Sequence, residues 1–315
     1  MVRLPEKWLS FLIENEIDPS IYSKDRNIRY SFYFDNFTSN NGEPVNEVPG
    51  LIRAKLNGLS NIALSIDIWS AYTVQLLEPN KDEHFLDLCC APGAKLVLAS
   101  KLGFSTVTGV DVSRERLFTA RSLIKRYKIG NVRLFHQDGR FFVEGPQSII
   151  RGCRQKPSPP KNCFYASSVY RKSPSIVELN GLNTYHKVLV DAQCTHDGSI
   201  KHVLKNIKSD WTNFHWTQLE NLDELYVIQL ELLLNGYKLV KPGGLLIYST
   251  CSLSKKQNED IVAKFRAIYS DALPYDFGPG PASMMSKNGM LRVEPNDSKI
   301  DLNVGFFIAR FRKPT

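Results

Sequence analysis

From residue 85 onward, short apolar runs alternate with segments in which apolar residues recur every three or four positions. The runs have the length of β-strands, and the spacing between them is typical of amphipathic helices. This alternation predicts an α/β fold with a doubly wound, mostly parallel sheet. The runs that we interpret as strands are HFLDLCC, STVTGVDV, NVRLFHQD, HKVLVDA and GGLLIYST.

Two of the predicted helices have a clear start or end. Ser113 is a residue type that caps helix N-termini, and an apolar stripe follows it. A longer amphipathic helix is predicted before the sequence KPGG, which should end it. We interpret both stripes as core. The first comprises Leu117, Ala120, Ile124 and Tyr127, and the second Leu219, Leu222, Tyr226, Leu230, Leu233 and Tyr237.

The sequence predicts two domains. Residues 1–80 mix short helical patterns with a polar interval, so we expect a small N-terminal domain, for which an RNA-binding role is one option. Residues 81–315 carry the α/β alternation, with an insertion at about 143–187 that lacks a period and contains seven Lys or Arg and two acids. This insertion either contacts a polyanion or is a solvated loop. Its candidate contact residues are Arg151, Arg154, Lys156, Lys161, Arg171 and Lys172.

Composition limits the class of protein. The 315 residues carry a formal charge of +8, which favours a polyanionic partner or simply a basic soluble enzyme. Six cysteines form no CxxC set, so we expect neither a disulfide framework nor structural zinc, and a reducing compartment. The first apolar stretch is short and interrupted by Glu14 and Glu16, which disfavours a signal peptide or membrane span. We expect an intracellular monomer, in the nucleus or cytoplasm, with an organelle not excluded.

The turn CCAPGAK follows the first predicted strand, where ligands of open parallel sheets bind. Neither GxxxxGK[ST] nor GxGxxG occurs there, so phosphate binding is weakly supported. Asp111 ends the next strand, 18 residues after Gly93, where a carboxylate can accept both ribose hydroxyls, and Asp138 ends the third strand. A nucleoside without phosphates, typically S-adenosylmethionine, therefore fits. Each Asp could equally be a turn or cap residue.

Six blocks carry a resemblance: FLDLCCAPGAK, VDVSRERL, HQDGR, KVLVDAQC, LVKPGGLLIYSTCSLSKKQNEDIV and GFFIARFRK. Together they resemble the NOL/NOP/Sun family of RNA cytosine-5 methyltransferases over roughly residues 65–315. The resemblance implies a Rossmann-like methyltransferase fold, S-adenosylmethionine as donor, and tRNA or rRNA as partner. It implies a donor pocket lined by Cys89, Cys90, Ala91, Pro92, Gly93, Ala94, Lys95, Asp111, Arg116, Asp138 and Asp191.

The resemblance also implies the catalytic residues. Cys251 would be the nucleophile, and Cys194 would assist release of the methylated product. Asp191 would donate a hydrogen bond or a proton to ring nitrogen 3 of the base, and Lys95 would position Asp191 or the base. The sequence departs from the family at Ala94, where a second glycine is frequent, and in the loop DAQCTHDGS, where DAPCSG is more usual.

The chemistry of the residues agrees with these roles. Carbon 5 of cytosine is a poor nucleophile, and a thiolate bond to carbon 6 activates it. Both cysteines follow predicted strands, so they can face one site. A cysteine at a strand end is otherwise a packing residue, as we expect for Cys89 and Cys90. Cys153 and Cys163 are expected to be surface thiols. We expect no metal at His196 and His202, because further ligands are not evident.

Other functions compete with this one. A catalytically silent RNA-binding or assembly protein would retain the fold, and the altered DAQCT loop is its support. A methyltransferase of amino groups would need an Asn/Asp-Pro-Pro-aromatic motif where DAQC stands. DNA cytosine methyltransferases place the nucleophile in a Pro-Cys loop, whereas residue 193 is Gln. Attack at carbon 6 requires an unstacked cytosine, so we expect a single-stranded, looped or flipped base.

Overall fold

A computed structural model of the chain describes residues 4–22, 30–34, 43–45, 51–55, 64–149, 162–167, 176–180, 182, 184–209, 211, 217–278, 286–295 and 304–315. Contacts between residues divide the chain into two compact units. Unit 1 comprises Met1–Ile28, Ala192–Glu231 and Tyr248–Arg310, and unit 2 comprises Arg29–Asp191, Leu232–Ile247 and Phe311–Thr315. The division into domains 1–80 and 81–315 stays a prediction.

The helices and strands are numbered in chain order. The helices are α1 (Glu6–Glu14), α2 (Ile68–Gln75), α3 (Ala94–Lys101), α4 (Arg114–Arg126), α5 (Ile200–Lys208), α6 (Thr217–Glu220), α7 (Leu222–Leu239) and α8 (Glu259–Ile268). The strands are β1 (Tyr30–Phe34), β2 (Glu43–Pro44), β3 (Leu51–Lys55), β4 (Leu64–Ile66), β5 (His84–Asp87), β6 (Thr106–Asp111), β7 (Val132–His136), β8 (Glu144–Ile149), β9 (Cys163–Ala166), β10 (Ile176–Asn180), β11 (Tyr185–Asp191), β12 (Val240–Thr250), β13 (Leu273–Pro274), β14 (Ser286–Lys287), β15 (Met290–Val293) and β16 (Phe306–Arg312).

Unit 2 contains the predicted parallel sheet. Its strand order is β12-β11-β5-β6-β7-β9, in which β11, β5, β6 and β7 are parallel neighbours and β9 is antiparallel to β7. Every residue of β6 is buried, as in a strand covered on both faces. Helices connect the parallel strands, so the α/β, Rossmann-like fold that we predicted is confirmed.

The helices of unit 2 begin and end where local chemistry permits. Ser113 caps α4 by accepting a hydrogen bond from the Arg116 backbone N–H at 3.3 Å, as its residue type predicted. Leu117, Ala120 and Ile124 are buried on one face of α4. The longer predicted helix is divided in two: Leu219 lies in α6, and the other stripe residues lie in α7, which ends at Leu239 directly before β12, the strand that contains KPGG.

Unit 1 has a separate core of aromatic and aliphatic side chains. Trp8 of α1 packs against Trp211, with ring centroids 5.3 Å apart. Ile200 and Val203 of α5 complete this core together with Tyr22, which lies in a short helical turn at Pro19–Tyr22. In the same unit, β14, β15 and β16 are adjacent strands, and the pairings of β15 with β14 and β16 are antiparallel.

Two small antiparallel sheets lie in unit 2. One has the order β2-β3-β1-β4, and the other pairs β8 with β10. The predicted insertion at 143–187 therefore contains strands β8, β9 and β10, although its sequence has no visible period. Its six candidate RNA-contacting residues, Arg151, Arg154, Lys156, Lys161, Arg171 and Lys172, lie outside the described residues, as does Cys153. In the described part of the chain, none of the helices has the length and apolar character needed to cross a bilayer.

Candidate active site

The turn after β5 is built by backbone N–H groups that reach neighbouring acceptors. The Cys89 N–H donates to Asp87 Oδ1 at 3.1 Å, and the Cys90 N–H donates to the Val110 carbonyl at 2.9 Å. Gly93 then adopts a φ of 103°, and a Cβ placed on it would lie 2.8 Å from Ala120 Cβ. The turn thus needs glycine at this position, both for its left-handed backbone and for its close contact with α4.

Asp111 supports this turn with both carboxylate oxygens. Oδ2 accepts a hydrogen bond from the Ala91 N–H at 3.0 Å, and Oδ1 accepts one from the Ser113 N–H at 2.8 Å. The Arg116 guanidinium donates to the Ala91 carbonyl, so α4 also holds the turn. Asp111 therefore has the turn-building role that we considered for it, and its contact with a donor ribose stays a prediction.

Asp138 pairs with a neighbour two residues away. Arg140 Nη2 lies 2.7 Å from Asp138 Oδ2, and the Arg140 backbone N–H donates to Oδ1 at 2.9 Å. Hydrogen bonding to Arg140 lowers the pKa of Asp138. The carboxylate caps the short helical turn Gly139–Phe141, and its predicted contact with an adenine edge stays a prediction.

Lys95 and Asp191 form a half-buried ion pair. Lys95 Nζ donates to Asp191 Oδ2 at 2.7 Å and to Ser70 Oγ at 3.0 Å. Burial lowers the pKa of Lys95, but the surrounding carboxylates, Asp191 above all, raise it by more, so the net pKa is above its usual value. The structure thus brings together the two residues that the family resemblance paired.

Asp87 is a candidate site residue that we missed in the sequence. Its side chain is 1% exposed, and its Oδ2 atom has no hydrogen-bond partner among the described residues. Burial, and secondarily the charge of Asp191, raises its pKa to about 7. An acid inside the apolar run FLDLCC was the available signal, because a buried carboxylate is rare unless it has a function.

The two predicted catalytic thiols lie side by side in unit 1. Cys194 Sγ is 3.5 Å from Cys251 Sγ, Cys194 is 1% exposed, and Cys251 is half-buried. The hydrogen bond between the two thiols is the largest influence on the pKa of Cys194. Together with His196 it outweighs the effect of burial and lowers that pKa well below its usual value. Cys194 therefore loses its proton more easily than an ordinary thiol, while the division of roles between the two sulfurs stays a prediction.

His196 adjoins both sulfurs. Its Nδ1 lies 2.9 Å from Cys251 Sγ and 3.7 Å from Cys194 Sγ. His196 has a φ of 57°, a left-handed conformation that costs a non-glycine residue about 1–3 kcal/mol. The His202 ring stacks on it, with centroids 5.5 Å apart. Sequence reasoning considered His196 only as a metal ligand and did not predict this contact.

A buried carboxylate holds the two cysteine loops together. Asp197 accepts hydrogen bonds from the Ser252 hydroxyl at 2.7 Å, from the Leu253 N–H at 2.6 Å, and from the Thr195 hydroxyl. The Gly198 N–H donates to the Cys251 carbonyl at 3.0 Å. The altered loop DAQCTHDGS is therefore bonded to STCSL at several points. Gln193 is exposed, and its carbonyl accepts a hydrogen bond from Gln229 at 2.7 Å.

The three atoms Cys194 Sγ, His196 Nδ1 and Cys251 Sγ lie within 4.8 Å of one another, and His202 is not part of this group. Tetrahedral zinc with ordinary bond lengths would hold a nitrogen and a sulfur ligand about 3.5 Å apart. The observed 2.9 Å between His196 Nδ1 and Cys251 Sγ is a hydrogen-bond distance instead. We therefore assign the group to thiol chemistry, and the predicted absence of a metal stays a prediction.

The remaining described cysteines have no such environment. Burial, followed by the charges of nearby Asp residues, raises the pKa values of Cys89 and Cys90 well above the usual thiol value. Cys163 is half-buried, and its Sγ contacts the Tyr165 carbonyl at 3.5 Å. Because their raised pKa values keep Cys89 and Cys90 protonated, these two thiols are poor nucleophiles.

Comparison with known proteins finds a matching family model and several related proteins. Residues 74–150 and 167–312 match the family described as 16S rRNA methyltransferase RsmB/F. Ribosomal RNA small subunit methyltransferase F of Citrobacter koseri is 26% identical over 242 residues, which are 75% of this chain and 41% of that protein. The relative of the same name from Salmonella heidelberg gives the same values. The chain thus spans about 41% of the length of these curated relatives.

Two solved structures share the fold. A methyltransferase homolog protein from Pyrococcus horikoshii superposes with a TM-score of 0.62 at 19% identity, covering 98% of this chain and 100% of that one. NSun6 from Pyrococcus horikoshii, solved with SFG, superposes with a TM-score of 0.53 at 24% identity, covering 80% of this chain and 53% of that one.

Proposed function

The chain belongs to the 16S rRNA methyltransferase RsmB/F family, and from this premise we propose that it methylates carbon 5 of a cytosine in ribosomal RNA. The methyl donor in this proposal is S-adenosylmethionine, and the reaction passes through a covalent bond between Cys251 and the base. The curated relatives are named as ribosomal RNA methyltransferases, which favours rRNA over the tRNA that the sequence left open.

The observation that carries the proposal is the pair of thiols 3.5 Å apart, Cys194 and Cys251. Methylation of an amino group or a hydroxyl group needs no protein thiol, whereas carbon 5 of cytosine needs a nucleophile at carbon 6. Cys251 is the half-buried member of the pair, so a base can reach it. Cys194 is buried beside it and is suited to assist the later release of the product.

The charges around the turn in unit 2 suit S-adenosylmethionine. Asp87, Asp111 and Asp191 surround the turn, with Lys95 and Arg116 as the facing cations. An excess of carboxylates favours a ligand that carries sulfonium and ammonium charges, and Gly93 lets the backbone turn sharply there. When bound, the donor supplies an electrophilic methyl group.

In this proposal, Asp191 donates a proton to ring nitrogen 3 of cytosine. Negative charge builds on that nitrogen after attack at carbon 6, so Asp191 acts there as the neutral acid, whose carboxyl proton goes to the nitrogen and leaves the carboxylate. Lys95 Nζ, 2.7 Å from Asp191 Oδ2, holds the side chain in one orientation and stabilises the carboxylate that remains. Lys95 therefore acts by positioning Asp191.

The test is a methyl-transfer assay with purified protein. Ribosomal RNA from cells that lack the gene is incubated with isotopically labelled S-adenosylmethionine, digested to nucleosides and analysed by mass spectrometry. The proposal expects labelled 5-methylcytidine with the unmodified protein and none with Cys251→Ala. Label on an atom other than carbon 5 of cytosine would overturn the proposed reaction, and label found only in tRNA would overturn the proposed substrate. No label with any cellular RNA would favour the silent RNA-binding alternative.

A further inference from the structure

The loop that carries Cys194 orients an imidazole toward the second thiol. His196 has a left-handed backbone at φ 57°, and the next residue, Asp197, is fixed by hydrogen bonds to Ser252 and Leu253. A Cβ on Gly198 would lie 2.8 Å from the Cys251 carbonyl oxygen, so the two loops are in close contact. The position of His196 is thus set by the same contacts that set Cys251.

The ring nitrogen that faces the thiols is close enough to share a proton with one of them. Nδ1 is 2.9 Å from Cys251 Sγ but 3.7 Å from Cys194 Sγ, so its stronger interaction is with Cys251. A neutral imidazole whose Nε2 carries the hydrogen can accept a proton at Nδ1. A histidine in contact with a thiol is a recurrent way of activating cysteine nucleophiles.

We propose that His196 is the proton acceptor for Cys251, a role that neither the sequence motifs nor the family resemblance assigned to any residue. This inference rests on the proposed function. It adds that the thiolate forms by transfer of the Cys251 proton to His196 Nδ1, and not by transfer to Cys194. The family resemblance supplies two cysteines, an aspartate and a lysine, and His196 lies in the segment where this chain departs from the more usual DAPCSG.

The proposed step transfers one proton from Cys251 to His196 and forms two bonds to the cytosine. The S–H bond of Cys251 breaks and its proton forms a bond to His196 Nδ1, while the sulfur electron pair forms the bond to carbon 6 of cytosine. The electrons of the carbon 5–carbon 6 double bond become available at carbon 5, which takes the methyl group of S-adenosylmethionine. S-Adenosylhomocysteine is the leaving group. Release follows when the carbon 5 proton passes to the Cys194 sulfur, the C5–H electron pair re-forms the double bond, and the Cys251 sulfur leaves with the pair of the C6–S bond and takes back the proton held by the imidazolium.

The groups that face His196 are consistent with this role. Cys194 and Cys251 lie on one side of the ring, and the half-buried His202 ring stacks on it. Burial, and secondarily the charges of His196, Lys205 and Lys201, lowers the pKa of His202 despite the opposing charge of Cys194. A neutral His202 stacked on His196 adds no second positive charge when the proton arrives.

The test measures thiol reactivity and needs neither RNA nor methyl donor. The full chain is treated with iodoacetamide in a buffer that contains a metal chelator, and alkylation of Cys251 is followed by peptide mass spectrometry between pH 5 and pH 10. The variant is His196→Asn, because asparagine tolerates a left-handed backbone but cannot take up a proton. His196→Gly, which removes the backbone strain, is the matched second variant.

If His196 is the acceptor, both variants slow alkylation of Cys251 at pH 7 at least tenfold and shift its pH–rate curve upward by a unit or more. In protein that already carries Cys194→Ala, His196→Asn should still slow the alkylation of Cys251. The inference is overturned if His196→Asn leaves the Cys251 curve unchanged, or if Cys194→Ala alone produces the upward shift. Because alkylation requires no substrate, these outcomes are independent of whether the methyl-transfer assay succeeds.

Discussion

Lys95 Nζ lies 2.7 Å from Asp191 Oδ2, where the lysine is also close enough to interact with the carboxyls of Asp87 and Asp67. Desolvation raises the pKa values of both of these carboxyls, and the charge of Lys95 opposes that increase. Lys95 thus limits the repulsion among several carboxylates at the proposed donor site.

Lys95→Met should therefore destabilise the protein. The substitution leaves Asp191 without its cation. Removing one partner of a fully buried ion pair costs about 3–5 kcal/mol, so the cost at this half-buried pair should lie between that range and the value of about 1 kcal/mol or less for exposed pairs. Urea unfolding measures this change. Lys7→Met is the matched control, because the Lys7–Glu220 pair has 67% and 51% of its two side chains exposed and should contribute less than about 1 kcal/mol. Equal effects of the two substitutions would contradict this account of the site.

A second pair of variants separates backbone strain from steric contact. Gly93 and Gly103 have φ values of 103° and 104°, but a Cβ would contact Ala120 at 2.8 Å in the first case and nothing within 4 Å in the second. Gly103→Ala should cost about 1–2 kcal/mol from strain alone. Gly93→Ala should cost at least about 1 kcal/mol more in thermal or chemical unfolding, since α4 must also move. Similar costs would show that the close contact at Gly93 is unimportant.

Binding of the methyl donor should depend on Asp111. The carboxylate holds the turn through the N–H groups of Ala91 and Ser113, and we predict that it also accepts the ribose hydroxyls. Asp111→Ala should therefore weaken S-adenosylmethionine binding about 10- to 100-fold, which corresponds to roughly 1–3 kcal/mol. Calorimetry on a variant with native circular dichroism checks this. An unchanged affinity would remove Asp111 from the donor site.

The stability of unit 2 should depend on pH through a histidine pair. His186 Nδ1 accepts a hydrogen bond from the His84 N–H at 3.1 Å, and burial, with the charges of Lys241, His84 and Lys187, lowers the pKa of His186 to about 4. Between pH 6.5 and about 4 the unfolded chain binds a proton that the folded chain does not. The contribution of His186 to the free energy of unfolding should therefore fall as the pH falls through this window, while Asp87, whose raised pKa lets the folded chain take up a proton there, contributes in the opposite direction.

His186→Gln removes this contribution, so the free energy of unfolding of the unmodified protein minus that of His186→Gln should decrease as the pH falls from 7 to 4. The exposed His136 takes the same substitution as the matched control. Urea denaturation at several pH values between 4 and 7 provides the measurement. A difference that does not change with pH would contradict the assignment, because the substituted side chain no longer titrates.

The sequence predicted those helices and strands whose signals lie within a few neighbouring residues. Ser113 was recognisable as a cap by its residue type, and the strand ending in Asp111 by its apolar run. The pairing of Lys95 with Asp191 spans 96 residues and came only from the family resemblance. The spacing of single residues carries no information on which loops meet, so it could not have supplied this contact.

The contacts of His196 and Asp197 were not predictable in this way. They join the 194–198 loop to residues 251–253, more than fifty positions away, and no periodic pattern encodes such contacts. The sequence showed a histidine beside a cysteine, for which metal binding was the only role considered. Its orientation toward Cys251 depends on how Asp197 bonds to both loops.

The most direct test of the central claim is a covalent-adduct assay. Cys194→Ala and Cys251→Ala are each incubated with ribosomal RNA and S-adenosylmethionine, then separated on a denaturing gel. Cys194→Ala should show a slowly migrating protein–RNA band, because the bond to carbon 6 forms and its release stalls. Cys251→Ala should show no band and no methyl transfer. A band in Cys251→Ala that Cys194→Ala lacks would contradict the account and identify Cys194 as the nucleophile.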